Sequence, residues 1–246
     1  YRRVPMKPIL IYSPQEAERN AFSVEKFKKN LGARLVTPDY RGDCDCVINR
    51  TNDYHIAEYY ESRGIRVFNG SRLSKIANDK QLCYDFMEQN GVEIMPTRYS
   101  TPPFVKKPKN GHGGQGVVMC NNISDYDTDF VCQKPASDLG KDLRVWVIGD
   151  EIITSVLRQS STDFRSNFCL GGTAVPYSLS PSEIQLVRRI MAVAKGDYYG
   201  IDFVFDGGKP VFNEIEDTVG ARMVYSVTDI DILDLYCDYI KKVLDK

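Results

Sequence analysis

No apolar run in this 246-residue chain approaches the ~20 residues that cross a bilayer, and neither sign of charge dominates. With 32 Lys and Arg against 33 Asp and Glu, the formal net charge is −1. That balance carries no electrostatic footprint for a polyanion, so neither nucleic acid nor a membrane is an expected partner. The basic start, residues 1–8, has no apolar stretch behind it of the length a secretory leader needs. Histidine is scarce, two in all, and none lies near Cys44-Asp45-Cys46 to complete a zinc site. That pair also lacks Cys-x-x-Cys redox spacing, and the seven cysteines are scattered and odd in number. Reduced, buried thiols in a cytoplasmic protein are the expectation. No Gly-x-Gly-x-x-Gly follows the first apolar run; Ser13-Pro14-Gln15-Glu16 stands there, which leaves a dinucleotide-binding fold unsupported.

Hydrophobic residues at 42% and charged residues at 26% match ordinary globular composition, and the length suits one large domain or two to three compact ones. Up to about residue 77, short apolar runs (9–12, 34–36, 46–49, 65–68) alternate with helical stretches (21–31, 56–62). The alternation predicts a small parallel α/β unit, with Phe22, Phe27 and Leu31 on one side of its first long helix. A helix over 78–90 follows, stopped by Gly91, and after Pro102-Pro103 come short strands at 104–107, 117–119 and 130–133. This middle piece is too small to bury much core alone and is expected to pack as a lid. Beyond Asp142 lie hairpins and two helices. One helix opens on the capping box Ser180-Pro181-Ser182-Glu183 and carries Ile184, Val187, Ile190, Met191 and Ala194 along one side; the other spans 229–244. The expected division is 1–77, 78–135 and 136–246.

Two stretches carry chemistry. Lys107-Pro108-Lys109-Asn110-Gly111-His112-Gly113-Gly114-Gln115-Gly116 lies between two strand-like runs. Gly111, Gly113, Gly114 and Gly116 allow backbone N–H groups to turn toward one centre, as phosphate-holding loops do, and Lys107 adds a point charge. No Gly-Lys-Ser/Thr closes the loop, so it is not a Walker motif. A hairpin loop that uses glycine merely to turn fits the same pattern, with His112 a bystander and Lys106, Lys107 and Lys109 a solvated face.

The second stretch is the pair of runs 201–205 and 210–216 around Asp206-Gly207-Gly208-Lys209. A two-residue turn opposes Asp202 to Asn213, whereas a three-residue turn with a glycine bulge opposes Asp202 to Glu214. The second register also places Ile201, Phe203, Phe205, Val211 and Ile215 on one apolar face, and the alternation selects it. Asp202, Glu214 and Glu216 then share the other face, with Val204 and Phe212 beyond them, and the face is expected to be acidic without interleaved Lys or Arg. Three carboxylates on one face repel unless a cation sits among them, and an all-oxygen set suits Mg²⁺. An exposed acidic sheet face is the alternative.

With both elements in view, residues 78–240 resemble the ATP-grasp superfamily, most closely its RimK-type carboxylate–amine ligases, with 1–77 suiting the preceding α/β domain. The most specific stretch is Asp142-Leu143-Arg144, the Gly-Asp hairpin, Asp163-Phe164-Arg165-Ser166-Asn167 and Gly171-Gly172. The resemblance implies an α/β (α+β) fold in which two β-rich subdomains sandwich ATP. It places Lys107 and the glycine loop on the phosphates and Gln133, Lys134, Pro135 and Ala136 along the adenine. Asp142 then contacts nucleotide, Arg165, Ser166 and Asn167 lie beside the phosphates, and Asp202, Glu214 and Glu216 hold two Mg²⁺ ions, or Mn²⁺. Lys134 stands where the family usually has Glu, Glu216 where it has Asn, and Thr218-Val219-Gly220 where it has Ser-Pro-Gly; the connector 121–129 is short.

The implied reaction has two steps. A substrate carboxylate takes the γ-phosphoryl group of ATP, and an amine then displaces phosphate from the acyl phosphate to form an amide. The chemistry asks for positioning and charge neutralisation. Arg165 and Asn167 are the catalytic candidates. Arg144, Arg158 or Arg222 suits a substrate carboxylate, each equally readable as a surface salt bridge. Lys80 is a further phosphate candidate or a plain helix-surface lysine. Amino acids or peptides are the implied substrates, and a homodimer or homotetramer the implied assembly. Two other readings stand beside ligation: an ATP-grasp phosphotransferase, and a nucleotide-binding regulatory module without turnover.

Overall fold

A computed structural model describes residues 7–160 and 172–245. The first unit is a parallel sheet in the order β2-β1-β3-β4, built from β1 (Pro8–Ile11), β2 (Arg34–Val36), β3 (Cys46–Asn49) and β4 (Arg66–Phe68). The central strands β1 and β3 are buried at every residue, which is why they read as continuous apolar runs. Helices α1 (Pro14–Arg19), α2 (Ala21–Leu31), α3 (Tyr54–Glu61) and α4 (Ser71–Ala77) connect and follow them. On α2 the core side is made by Val24 and Phe27, not by Phe22, which is 59% exposed with its ring edge-on to Tyr225.

Helix α5 (Lys80–Gln89), capped by the Asp79 side chain, leads to a three-stranded antiparallel sheet, β6-β5-β7, from β5 (Phe104–Pro108), β6 (Val118–Cys120) and β7 (Phe130–Gln133). The core of this sheet is only Phe104, Cys120 and Cys132, flanked by Tyr99 and Tyr126. Helix α5 itself packs on the larger sheet, where Cys83, Tyr84 and Met87 join the cluster around Phe203 and Phe212.

That larger sheet runs β10-β9-β8-β11-β12, all antiparallel, from β8 (Lys141–Ile148), β9 (Glu151–Gln159), β10 (Thr173–Pro176), β11 (Tyr198–Asp206) and β12 (Lys209–Glu216). One face packs on α4, α5 and α6 (Pro181–Ala194) through Leu143, Val145, Val147, Ile201 and Phe203. Its other face shares a core with the N-terminal sheet and α8 (Ile232–Leu244) through Trp146, Ile148 and Tyr198. A short α7 (Arg222–Val227) precedes α8. Because strand faces alternate, Trp146 and Ile148 lie on the same side of β8 as Asp142 and Arg144. One sheet face is thus core at one end and charged at the other.

The capping box forms as expected: Ser180 Oγ accepts from Glu183 N, and Glu183 accepts from Ser180 N at 2.7 Å. Ser180→Ala should lower stability by about 1 kcal/mol, read as a drop of a few degrees in melting temperature.

The β11–β12 hairpin reaches the expected Asp202–Glu214 pairing by another route. Its turn has only two residues, Gly207 and Gly208, with φ of +58° and +77°, the dihedrals that match strand twist in a two-residue turn. The extra residue is Asn213, a bulge within β12, where pairing passes from Phe203–Phe212 to Asp202–Glu214. The bulge reverses the alternation, so Phe212 enters the core with Phe203, while Val211 pairs with Val204 on the opposite face.

Candidate functional site

The charged face is assembled by strand pairing alone. Arg144 lies opposite Asp202, Asp142 opposite Arg158, and Asp202 opposite Glu214. Arg144 grips Asp202 with two bonds of 2.6 Å, Nε to Oδ1 and Nη2 to Oδ2, and reaches Glu216 at 2.5 Å. Arg158 donates to both oxygens of Asp142, at 2.5 and 2.9 Å, and to Asp202 Oδ2 at 3.1 Å. The acidic face is therefore interleaved with arginines from β8 and β9, residues far from the hairpin in sequence. Asp202, 3% exposed, is desolvated, yet the two guanidiniums outweigh that and hold its carboxyl well below the usual range. Among the described residues no group of three or more acidic, His or Cys side chains converges as a ready-made metal cage. Asp202, Glu214 and Glu216 share a face, but each already faces a cation.

Glu214 faces Lys80, whose Nζ lies 2.6 Å away. Burial would lower the Lys80 pKa, and the Glu214 carboxylate more than offsets it. Lys107 is placed differently. It is 7% exposed, and its Nζ contacts Tyr84 Oη at 2.8 Å and Asn213 Oδ1 at 3.1 Å. With no carboxylate in that contact set, burial first and the Lys80 charge second push its pKa down to about 7, against the pull of Glu214. Asn213 is aimed there by the bulge, and Tyr84 by its place one helical turn beyond Lys80 on α5.

The glycine loop lies beside this group. Lys80 N donates to Lys109 O at 2.9 Å, tying the head of α5 to the loop. Gly113, Gly114 and Gly116 have φ between +62° and +75°, and a Cβ on Gly116 would come within 2.9 Å of Pro108 Cγ. The exposed His112 is partly desolvated and feels the Lys80 charge, which together lower its pKa; Glu214 and Glu216 act in the opposite sense. Gln133 is buried and donates to Met95 O at 3.0 Å, while Lys134 N donates to Pro96 O at 2.9 Å. Gln133 and Lys134 thus run along the 95–97 segment, with Pro135 and Ala136 following. Arg222 is exposed at the head of α7. Arg165, Ser166 and Asn167 lie outside the described residues.

Sequence reasoning missed Tyr84, Asn213 and a third residue, Asn69. Spacing from Lys80 on one helix face could have found Tyr84; nothing local marks the other two. Asn69 is 4% exposed and ties the end of β4 to the start of β11 and to the residue after β12. It donates to Tyr198 O at 2.6 Å and Asp217 O at 2.7 Å, and accepts from Asp197 N at 2.6 Å and Tyr198 N at 3.0 Å.

Three comparisons bear on this arrangement. A family described as the RimK-like ATP-grasp domain matches residues 71–240. A probable alpha-L-glutamate ligase of Trichodesmium erythraeum is 24% identical over 217 residues, covering 78% of this chain and 73% of the relative. Human N-acetylaspartylglutamate synthase A is 28% identical over 256 residues, covering 92% of this chain and 63% of that protein. Among solved structures, the ATP-grasp ligase PsnB complexed with minimal precursor superposes with a TM-score of 0.71 at 15% identity, covering 96% of this chain and 98% of that one. A RimK domain ATP-grasp protein from Sphaerobacter thermophilus gives 0.69 at 17% identity, covering 95% and 98%. At such identities the structural likeness is one of fold.

Proposed function

This chain belongs to the RimK-like ATP-grasp family, and from that premise we propose that it is an ATP-dependent carboxylate–amine ligase that forms an amide through an acyl phosphate. The observation that carries the reading is Lys107, a buried ammonium in contact with a phenol and an amide oxygen and, among the described residues, with no carboxylate. Such a group is suited to an anion that arrives with the substrate, and Lys80 and the glycine loop beside it suit the same phosphates. In this reading the nucleotide lies between the lid, 78–135, and the large unit, 136–246, with 1–77 alongside.

The donor chemistry also fits a divalent cation. Glu214 and Glu216 offer oxygen ligands, and their present partners are cations, Lys80 and Arg144, so binding exchanges one positive charge for another. Two Mg²⁺ ions, replaceable by Mn²⁺, complete the proposal; held by these carboxylates, they would supply positive charge to offset that of the transferred phosphoryl group. The chain's own residues do the rest. Lys80 and Lys107 orient phosphates, Arg144 and Arg158 fix Asp202 in its ionised form, and Arg165 and Asn167 are assigned to the phosphoryl group by resemblance. Arg222, exposed at the head of α7, is assigned to a substrate carboxylate.

Both relatives named above have glutamate in their names, and we assign L-glutamate as the amine, joined to an amino acid or peptide carboxylate. The test is a product assay with ATP, Mg²⁺, L-glutamate and a panel of such carboxylates. Amide by mass spectrometry, with ADP and phosphate released only when both substrates are present, is the expected result. ADP formed with a stable phosphorylated product and no amide across the panel would instead make the protein a phosphotransferase. Asp202→Asn should lower turnover by about two orders of magnitude, through loss of the carboxylate that holds Arg144 and Arg158 in place on the site face.

A further inference from the structure

We propose that Arg50 is a positioning residue of the ligation reaction: from the end of β3 it holds the segment 217–220, directly behind the carboxylate strand, in place against the N-terminal sheet. The proposal rests on the ligase reading above, because the segment joins Glu216 to Arg222, the two ends of the assigned site.

The segment has no regular secondary structure, yet four successive carbonyls in it are held by side chains from elsewhere. Asn69 donates to Asp217 O at 2.7 Å, and Arg50 Nη2 donates to Thr218 O at 2.9 Å and to Val219 O at 2.7 Å. Trp146 Nε1 donates to Gly220 O at 3.0 Å. Thr218 adds its hydroxyl to Asn52 Oδ1 at 3.1 Å. Packing confirms how closely the segment is seated: a Cβ on Gly200 would come within 2.9 Å of Val219 Cγ2.

Arg50 supplies two of those four contacts and is itself held from three sides. Its own N–H donates to Ile11 O at 3.0 Å, its Nε to Tyr12 Oη at 3.3 Å, and its guanidinium lies 5.5 Å from the Tyr198 ring centre. Tyr12 follows β1 and Arg50 follows β3, so the pair stands astride the point where the strand order β2-β1-β3-β4 changes direction. Crevices at the carboxyl ends of parallel strands form there. Arg50 thus fixes the distance from that crevice to Glu216 and Arg222. A planar fork can serve Tyr12 and the segment together, which a lysine ammonium cannot. Displacing reacting groups by about 1 Å costs up to ~100-fold in rate without removing any group that touches the substrate.

The experiment compares Arg50→Lys and Arg50→Met with the wild type as full chains. MgADP affinity is expected to stay within about twofold, while kcat for amide formation with L-glutamate falls about 10- to 100-fold, less for Arg50→Lys than for Arg50→Met. Trp146 is the one tryptophan of the chain, so its emission reports on the segment directly and should change in both variants. Unchanged kcat in folded Arg50→Met overturns the proposal. So does a loss of MgADP affinity parallel to the loss of kcat, the mark of general loosening. If the wild type makes no amide at all, the ligase reading fails on its own. Trp146 emission then decides the positioning: a change at constant MgADP affinity supports it, and an unchanged spectrum overturns it.

Discussion

Asn69→Leu is expected to destabilise the protein by about 4–6 kcal/mol, enough to deplete the folded state of a domain with ordinary stability. The side chain makes four bonds, two donated to the carbonyls of Tyr198 and Asp217 and two accepted from the amides of Asp197 and Tyr198. Leucine leaves four buried backbone groups without a partner, each costing about 1–3 kcal/mol, less than additively because they adjoin. Chemical denaturation of wild type and variant reads the difference. Asn69→Asp supplies a check on the sign. Its carboxylate could still accept the two amides but would face two carbonyl oxygens, so the folded state favours the protonated acid and raises its pKa. Stability of that variant is then highest below the unfolded value of about 3.9 and is lost as pH rises through the folded pKa. Relative to wild type, its denaturation midpoint should be higher at pH 5 than at pH 8. Equal deficits at the two pH values would show that Asn69 does not meet those carbonyls.

Lys107 carries the second large effect. In the free protein its ammonium titrates at about 7, because burial and Lys80 oppose the charge. A phosphate favours the charged form, so nucleotide binding raises this pKa and takes up a proton when the pH is above 7. ADP affinity should therefore weaken on going from pH 7 to pH 9, by up to about tenfold per unit until the bound-state pKa is reached. Calorimetry in two buffers of different ionisation enthalpy should find an uptake approaching one proton at pH 8.5. Lys107→Met should remove that uptake while leaving the titration of ADP itself. At pH 6, where wild-type Lys107 is charged, the variant should bind ADP about 10- to 100-fold more weakly, the worth of a hydrogen bond to a charged group. Proton uptake identical in wild type and variant would place the phosphates away from Lys107.

Much of the fold was legible because local chemistry and burial agreed. The all-buried runs of β1 and β3, the Ser180 capping box and the glycine spacing after Lys107 each act within a few residues, where the chain's own alternation or side-chain reach settles the outcome. Phe22 shows the limit of periodicity. It lies within reach of the apolar stripe of α2, but which arc of a helix meets the core depends on the partner, and here the partner meets Val24 and Phe27.

The site divides in the same way. By itself the sequence determined which residues could hold phosphate and cation: glycines that tolerate positive φ, a lysine at a strand end, and acidic residues set at strand alternation. Only the tertiary structure decided what those residues face. Arg144 and Arg158 enter the acidic face because β8 lies between β9 and β11 in the sheet, an adjacency no sequence spacing contains. Asn213 points at Lys107 because Gly207 and Gly208 close a two-residue turn and push the extra residue into β12. Arg50 and Asn69, at the ends of two N-terminal strands, meet the 217–220 segment 168 and 148 residues later in the chain. The physical reason is common to all three. Charges and backbone carbonyls act over a few ångströms whatever their separation in sequence, so their partners are chosen by how sheets pack rather than by how residues follow one another.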